Sequence, residues 1–197
     1  MSTKGAETRE RIVDRAFRLA TRDGLDGLSI GSLASEVGLS KSGLFAHFGS
    51  KEDLQVAVLR AAAERFEQVV IKQAFRAPRG LPRIRRLFEN WCRWGSDPGV
   101  PGGCLFVAAA AELDDKEGRP RDYLSGVQIQ LTETLAKSAR LAIEAGHFRA
   151  DVDCDQFAFE MFAIIFGYYH SKRLLRSPHA DARAERAFER LVETSKA

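Results

Sequence analysis

The segment from residue 29 to residue 54 constrains the possible folds of this chain more than any other part of the sequence. Its apolar residues recur at helical spacing before Gly38, a residue that readily adopts the left-handed conformation that ends a helix. Ser40 then offers a hydroxyl to cap a second helix, in which Leu44 and Phe48 form a buried stripe. This pattern predicts two short helices joined by a tight turn, with a longer helix directly after them.

The second short helix has an outer face suited to the major groove of DNA. A helix enters this groove, which is about 12 Å wide, only if the side facing the bases carries little bulk. Ser42 and Gly43 satisfy this condition. Lys51 opens the next helix, where a cation is unfavourable unless an outside anion, such as a DNA phosphate, is near.

These considerations give a set of candidate DNA-contacting residues. Lys41 and Lys51 are expected to contact phosphates, and the four residues Ser42, Gly43, Phe45 and His47 are expected to lie near base edges or the sugar backbone. Any one of them alone would fit a solvated helix face, whereas their combination within this spacing favours DNA contact. The set is Ser29, Ser40, Lys41, Ser42, Gly43, Phe45, His47 and Lys51.

The same segment resembles the TetR family of one-component transcriptional regulators. Phe45 stands where this family usually has a tyrosine, and Gly31 stands where it usually has a polar residue. Ser50 and Asp53 are placed to form a capping box at the start of the longer helix. The residues that carry the resemblance are Leu33-Ala34, Val37-Gly38-Leu39-Ser40-Lys41, Gly43-Leu44-Phe45, His47-Phe48 and Ser50-Lys51-Glu52-Asp53-Leu54.

The rest of the chain also reads as helices, and we expect an all-α protein with about nine helices and no sheet. The resemblance implies a three-helix DNA-binding domain with a helix-turn-helix at residues 7–52. It also implies a helical ligand-binding and dimerisation domain at residues 53–197. The further helices are predicted near residues 7–22, 50–75, 84–95, 104–113, 121–145, 153–176 and 181–193.

Composition limits the possible partners and compartments. The 197 residues are 45% hydrophobic with a net charge of +3, which admits an anionic partner but is too weakly basic for a protein that coats DNA regardless of sequence. Three cysteines, Cys92, Cys104 and Cys154, lie far apart and indicate a reducing cytoplasm. The polar N-terminus predicts no secretion signal, and the apolar stretch at residues 157–169 is too short for a membrane span.

The apolar stretch at residues 157–169 exceeds what one helix face can bury in its own core. Burial inside the domain is one explanation. The resemblance favours another, a homodimer in which the helices near residues 153–176 and 181–193 of two chains form a four-helix interface. The second of these helices would contribute Ala184, Ala187, Phe188, Leu191 and Val192.

A small apolar effector is implied by the resemblance and would need a cavity with apolar walls. Each of the candidate lining residues could instead simply pack the core. The candidates are Phe88, Trp91, Trp94, Phe106, Leu131, Met161 and Phe162.

The sequence predicts no catalytic site, cofactor or metal. The cysteines and histidines are scattered without nucleophile, base or metal-ligand spacing, and no phosphate-binding loop is present. The arginines at positions 76, 79, 83, 85 and 86 fit solvated charge, with an anionic ligand or flanking DNA as alternatives. Cys104, at a predicted helix start, could be a redox-active thiolate or a buried inert thiol.

We therefore expect a DNA-binding regulator, in particular a repressor that releases a palindromic operator when a small apolar molecule binds the C-terminal domain. The long helix that starts near Lys51 would transmit the change. The alternatives are an activator or DNA binder without an inducer, a redox sensor that works through Cys104, or an enzyme on a helical scaffold.

Overall fold

The computed structural model describes residues 3–197, with side chains from residue 5 onward, and this part of the chain is helical. α4 passes through a π-helical turn at Glu67–Ile71 into the short α5, and α9 ends in a second π turn at His170–Leu174. The helices are α1 (Thr3–Asp23), α2 (Ile30–Val37), α3 (Lys41–Phe48), α4 (Lys51–Phe66), α5 (Lys72–Ala74), α6 (Leu81–Trp94), α7 (Leu105–Leu113), α8 (Arg119–Glu144), α9 (Cys154–Tyr169) and α10 (Ala180–Ser195).

The prediction of an all-α fold is confirmed. With α4 and α5 counted as one helix, the described residues form nine helices and no strand, and a single β-bridge pairs Phe148 with Lys196. The observed bounds agree with the predicted helices to within a few residues. None of the helices in the described residues is both long enough and apolar enough to cross a lipid bilayer.

The chain divides into two compact units. The first contains the residues up to Arg65 together with Asp97–Gly126, and the second contains Phe66–Ser96 and Val127–Ala197. The predicted DNA-binding domain at residues 7–52 lies within the first unit. The predicted domain boundary at residue 53 stays a prediction.

The first unit has its core where α1 to α4 meet. Phe17 from α1, Leu33 from α2, Leu44 from α3 and Leu54 from α4 are all fully buried there. The loop before α7 closes on the end of α1, because the Gly102 amide donates to the Thr21 hydroxyl at 3.3 Å. A Cβ atom on Gly102 would overlap the Thr21 carbonyl, so only glycine allows this approach.

The second unit has a core rich in aromatic rings. The Trp91 ring meets the rings of Phe66 and Phe162 edge-on, at centroid distances of 5.4 and 5.3 Å. Phe88 stacks on Phe188 of α10 at 4.1 Å. Such pairs contribute about 0.5–1.5 kcal/mol beyond the area that they bury.

The apolar face of α10 is part of this core, which corrects the prediction that it forms half of a dimer surface. Phe188 is only 2% exposed, and its three apolar neighbours Ala184, Leu191 and Val192 are also buried. Only Ala187 of the predicted set is partly exposed. The apolar residues of α10 have the predicted helical spacing, but they pack against helices of the same chain.

Candidate nucleic-acid interface

The turn between α2 and α3 is closed by backbone hydrogen bonds. Gly38 has φ 71°, in the left-handed region that favours glycine. Its amide donates to the Ser35 carbonyl at 3.3 Å, and the Leu39 amide donates to the Ala34 carbonyl at 2.9 Å. These two bonds form a Schellman motif, so the predicted helix end at Gly38 is confirmed.

Serine hydroxyls cap both short helices. Ser40 accepts a hydrogen bond from the Gly43 amide at 3.0 Å, as predicted, and its oxygen lies 3.0 Å from that of Ser42. Ser29 caps α2 by accepting from the Ser32 amide at 3.4 Å. These two candidate residues therefore position the helices from their N-terminal ends.

Helix α3 turns one face inward and the other to solvent. Leu44 and Phe48 are buried, as their spacing predicts. Lys41, Ser42 and Phe45 are exposed, and Phe45 is 43% exposed, which is a large value for an aromatic residue. Gly43 and His47 are half-buried on the same helix.

Two contacts between helices that the sequence did not reveal lie at this surface. A Cβ atom on Gly31 would lie 3.1 Å from Cε of Lys41, so a glycine at this position of α2 leaves room for the lysine side chain. Arg9 of α1 lies over the Phe48 ring, 4.9 Å from its centroid. Both contacts join different helices, and helical spacing within one segment carries no signal for them.

Ser50 and Asp53 cap α4 in a modified form of the predicted capping box. The Asp53 amide donates to the Ser50 hydroxyl at 3.0 Å, and that hydroxyl donates to the Asp53 carboxylate at 2.7 Å. The Ser50 amide bonds instead to the Phe48 carbonyl. The Ser50 hydroxyl, and after it Arg119, lowers the pKa of the Asp53 carboxyl.

Lys51 has an intramolecular partner that sequence reasoning did not foresee. Its ammonium donates to the backbone carbonyl of Asp26 at 2.8 Å. The side chain remains exposed, and an ammonium has three donors, so one bond leaves two for other acceptors. The cation at the helix start is thus explained in part without DNA.

Both parts of the chain match models of one protein family. Residues 12–58 match the model of bacterial regulatory proteins of the tetR family, and residues 80–188, more than half of the chain, match the tetracyclin repressor-like C-terminal domain. This chain belongs to the TetR family. Its TetR fold places α2 and α3 as the helix-turn-helix of a DNA-binding transcriptional regulator.

Individual relatives agree with this assignment. The chain is 34% identical over 67 residues to the HTH-type transcriptional repressor AcnR of Corynebacterium glutamicum, a match that covers 34% of this chain and 36% of that protein. It is 31% identical over 84 residues to the nicotine-responsive repressor HdnoR of Paenarthrobacter nicotinovorans, covering 43% and 38%. The matches thus span well under half the length of these curated relatives.

A solved structure extends the likeness to the whole chain. A TetR transcriptional regulator from Chloroflexus aurantiacus superposes with a TM-score of 0.85 at 29% identity, covering 96% of this chain and 94% of the other. The similarity therefore includes both units of this TetR-family protein.

The residues predicted to line a ligand cavity are divided between the two units. Phe106 lies in the first unit, and the other six lie in the second. Trp91, Trp94 and Met161 are buried, and Phe162 is half-buried. The indole N–H groups of Trp91 and Trp94 are buried without a hydrogen-bond partner among the described residues. Buried indole donors usually find an acceptor.

Proposed function

We propose that this TetR-family regulator is a homodimeric repressor that releases a palindromic operator when a small molecule binds the second unit. The observation that carries the proposal is the exposed face of α3, which presents small and basic residues beside the accessible Phe45 ring. In a two-fold dimer, two such helices would enter successive major grooves of one duplex.

On the DNA, lysines would set position and the α3 face would set selectivity. Lys41 and Lys51 are exposed cations that would contact phosphates, a sequence-independent contribution to affinity. Ser42 and Gly43 permit close approach to base edges. Phe45 lacks the hydroxyl of a tyrosine, and its exposed ring suits an apolar contact with a thymine methyl group.

The outer face of α9 supports dimerisation. Phe159 is 64% exposed, and Ala163, Gly167 and His170 follow on the same side of the helix and are also exposed. The two small residues would let a second helix approach closely, and the exposed ring would be buried in the contact. Because the apolar face of α10 is occupied within its own chain, α9 would supply most of the apolar area.

The two unpartnered indole donors support binding of a mostly apolar effector that carries an acceptor oxygen. A buried donor without a partner costs about 1–3 kcal/mol, and an acceptor on a ligand would remove that cost. The name of the relative HdnoR says that it responds to nicotine. A comparable small-molecule response, with a different effector, is proposed for this chain.

The dimer would have one conformation that binds the operator and one that does not. The effector would reduce operator affinity by no more than the difference between its own affinities for these two conformations. Helix α4 begins just after α3, and its last residue opens the second unit. We therefore assign α4 the role of transmitter.

Dimerisation and operator binding can be tested together. We expect Phe159→Glu to produce a monomer in light scattering and to weaken operator binding, because a monomer engages only one half-site. Ile129→Glu, which replaces another exposed apolar residue on α8, is the matched control and should leave a dimer. A Phe159→Glu protein that remains dimeric with full operator affinity would refute this interface.

The alternative of a redox sensor that works through Cys104 is weaker than the proposed effector response. Cys104 is buried at the start of α7, whereas redox-sensing cysteines are accessible to solvent. An activator would make the same DNA contacts, and a promoter fused to a reporter would separate the two modes. Repression predicts that deletion of the regulator raises reporter output.

A further inference from the structure

The second unit carries an open groove of about 830 Å³ between α6 and the segment that contains the first π turn. Of the nine residues that line it, three are arginines and none is acidic. They are Val69, Gln73, Arg76, Ala77, Pro78, Pro82, Arg86, Asn90 and Arg93. A groove of this volume is in the range of small-molecule sites.

One face of α6 supplies an evenly spaced set of these residues. Pro82, Arg86, Asn90 and Arg93 follow one another at intervals of four, four and three positions, which places them on the same side of the helix. The seven helical steps from Arg86 to Arg93 correspond to about 10 Å along the helix axis. The groove therefore presents two separated cations along one wall.

The opposite wall of the groove is the segment at residues 69–78, and side chains of α6 hold this segment in place. Nη2 of Arg83 donates to the carbonyls of Phe75 at 3.4 Å and Ala77 at 3.2 Å, and its guanidinium lies over the Phe75 ring. These bonds hold the loop that bears Arg76. The amide of Asn90 donates to the Val70 carbonyl in the π turn at 3.2 Å. Single π turns within α-helices often mark functional sites.

The positive charge of the groove is only partly balanced. Arg86 pairs with Glu89 at 2.9 Å, so part of its charge is compensated. Arg76 and Arg93 have no ion-pair partner among the residues that the structure describes. Arg93 also borders a neighbouring cleft that Glu89 and Glu185 help to line, but none of the described carboxylates lines this groove. Two guanidinium groups without an ion pair at one open groove would attract an anion.

We propose that this groove binds an organic polyanion that carries at least two phosphate or carboxylate groups. Guanidinium groups match phosphate and carboxylate oxygens in two-point hydrogen bonds. The four apolar lining residues offer a surface for the body of such a molecule. The site is separate from the buried indoles of Trp91 and Trp94, and the proposal does not depend on the proposed effector or operator.

Calorimetric titration of the full chain without DNA tests the proposal. The probes are ATP, pyrophosphate and citrate, with adenosine as an uncharged comparison. We expect ATP to bind, and the other two probes to show whether phosphate or carboxylate is preferred. Binding should weaken as salt is raised, because the groove is open to solvent. Adenosine should bind at least about tenfold more weakly than ATP.

Arginine variants assign any binding to the groove. The double variant Arg76→Gln with Arg93→Gln should bind ATP at least about tenfold more weakly than the native protein. Arg93→Lys keeps the charge but loses the two-point geometry, so an intermediate affinity is expected. Arg79→Gln, an exposed arginine of the same loop outside the groove, is the control and should bind normally.

Three results would overturn the proposal. The first is that none of the anionic probes binds the native protein at low salt. The second is that the double variant and Arg93→Lys both bind ATP as the native protein does. The third is that adenosine binds as tightly as ATP. If the probes fail to bind while the double variant loses operator affinity, the arginines contact flanking DNA, and the groove is not a small-molecule site.

Discussion

Gly31 and Gly38 lie seven residues apart in the helix-turn-helix, and they have different backbone conformations. Gly38 adopts a left-handed conformation that a side chain would strain. Gly31 is a helical residue, and its missing side chain leaves space for Lys41. The backbone at residue 38 therefore favours glycine, whereas the helical backbone at residue 31 does not require it.

Alanine substitutions at the two glycines should change stability in opposite directions. Gly31→Ala should raise the free energy of unfolding by about 0.5–1 kcal/mol, because alanine favours the helix and the flexible end of Lys41 can move aside. Gly38→Ala should lower it by about 1 kcal/mol, because the left-handed conformation becomes strained. Urea unfolding measures both. Destabilisation by Gly31→Ala would show that the position of Lys41 is rigid.

Lys51→Ala should weaken operator binding and reduce its salt dependence by about one unit per half-site. The reason is the loss of one phosphate contact in each protomer. Fluorescence anisotropy across a range of salt concentrations measures the slope. Lys72→Ala, which removes a lysine paired with Glu67 in the second unit, is the control. An unchanged slope for Lys51→Ala would mean that the Asp26 carbonyl is its only significant partner.

At this scale, local features could be predicted and contacts between helices could not. The caps at Ser40 and Gly38 depend on neighbouring residues, so the sequence shows them directly. The contacts of Lys51 with Asp26 and of Arg9 with Phe48 join residues that are distant in sequence. Their geometry follows from how helices pack, which periodicity does not specify.

At the scale of elements, α10 packs on its neighbours through its apolar face and also forms ion pairs with them. Arg85 of α6 binds both carboxylate oxygens of Glu189, with a distance of 2.8 Å at Oε2. Lys172 binds Asp181 at 2.8 Å, and the Tyr168 hydroxyl donates to the same carboxylate. These hydrogen bonds lower the pKa of both carboxyls below their ordinary values.

The second unit should therefore lose stability in acid. The unfolded carboxyls have pKa values of 3.8 and 4.5, and the folded values are lower. Their contribution is complete above the unfolded values and is lost as the pH falls through the folded values. The measurement is the urea midpoint at neutral pH and near pH 3. We expect the midpoint of the double variant Asp181→Asn, Glu189→Gln to fall less in acid than that of the native protein.

The control for the acid prediction is Glu133→Gln, which removes an exposed carboxylate of α8 that has no ion pair among the described residues. It should keep the native pH dependence. An equal loss of stability in the double variant and in the native protein would show that the two ion pairs do not contribute to acid sensitivity.

The helices themselves were predictable from apolar spacing, glycine and proline, whereas the partner of each apolar face was not. The stripe of α10 illustrates the difference. Its period is clear in the sequence, but a stripe that meets α6 and α9 of the same chain looks the same as one that meets a second copy. Only the exposure of Phe159 and the burial of Phe188 separate the two cases.

At the scale of the whole molecule, the proposed function requires both a DNA-contacting face on α3 and a dimer-forming face on α9. Neither is sufficient alone. One recognition helix makes too few contacts for a selective site, whereas two that are held by a two-fold axis read an inverted repeat. The symmetry of the preferred DNA is therefore the property that depends on both faces.

Selection of bound fragments from a pool of random duplexes, at moderate salt and with bulk competitor DNA, tests this claim most directly. We expect enrichment of one inverted repeat whose half-site centres are separated by one helical turn, ~34 Å, or by a multiple of it. Enrichment should disappear for Phe159→Glu. Recovery of no preferred sequence, or of a single half-site without its repeat, would rule out a symmetric dimer that reads a palindromic operator.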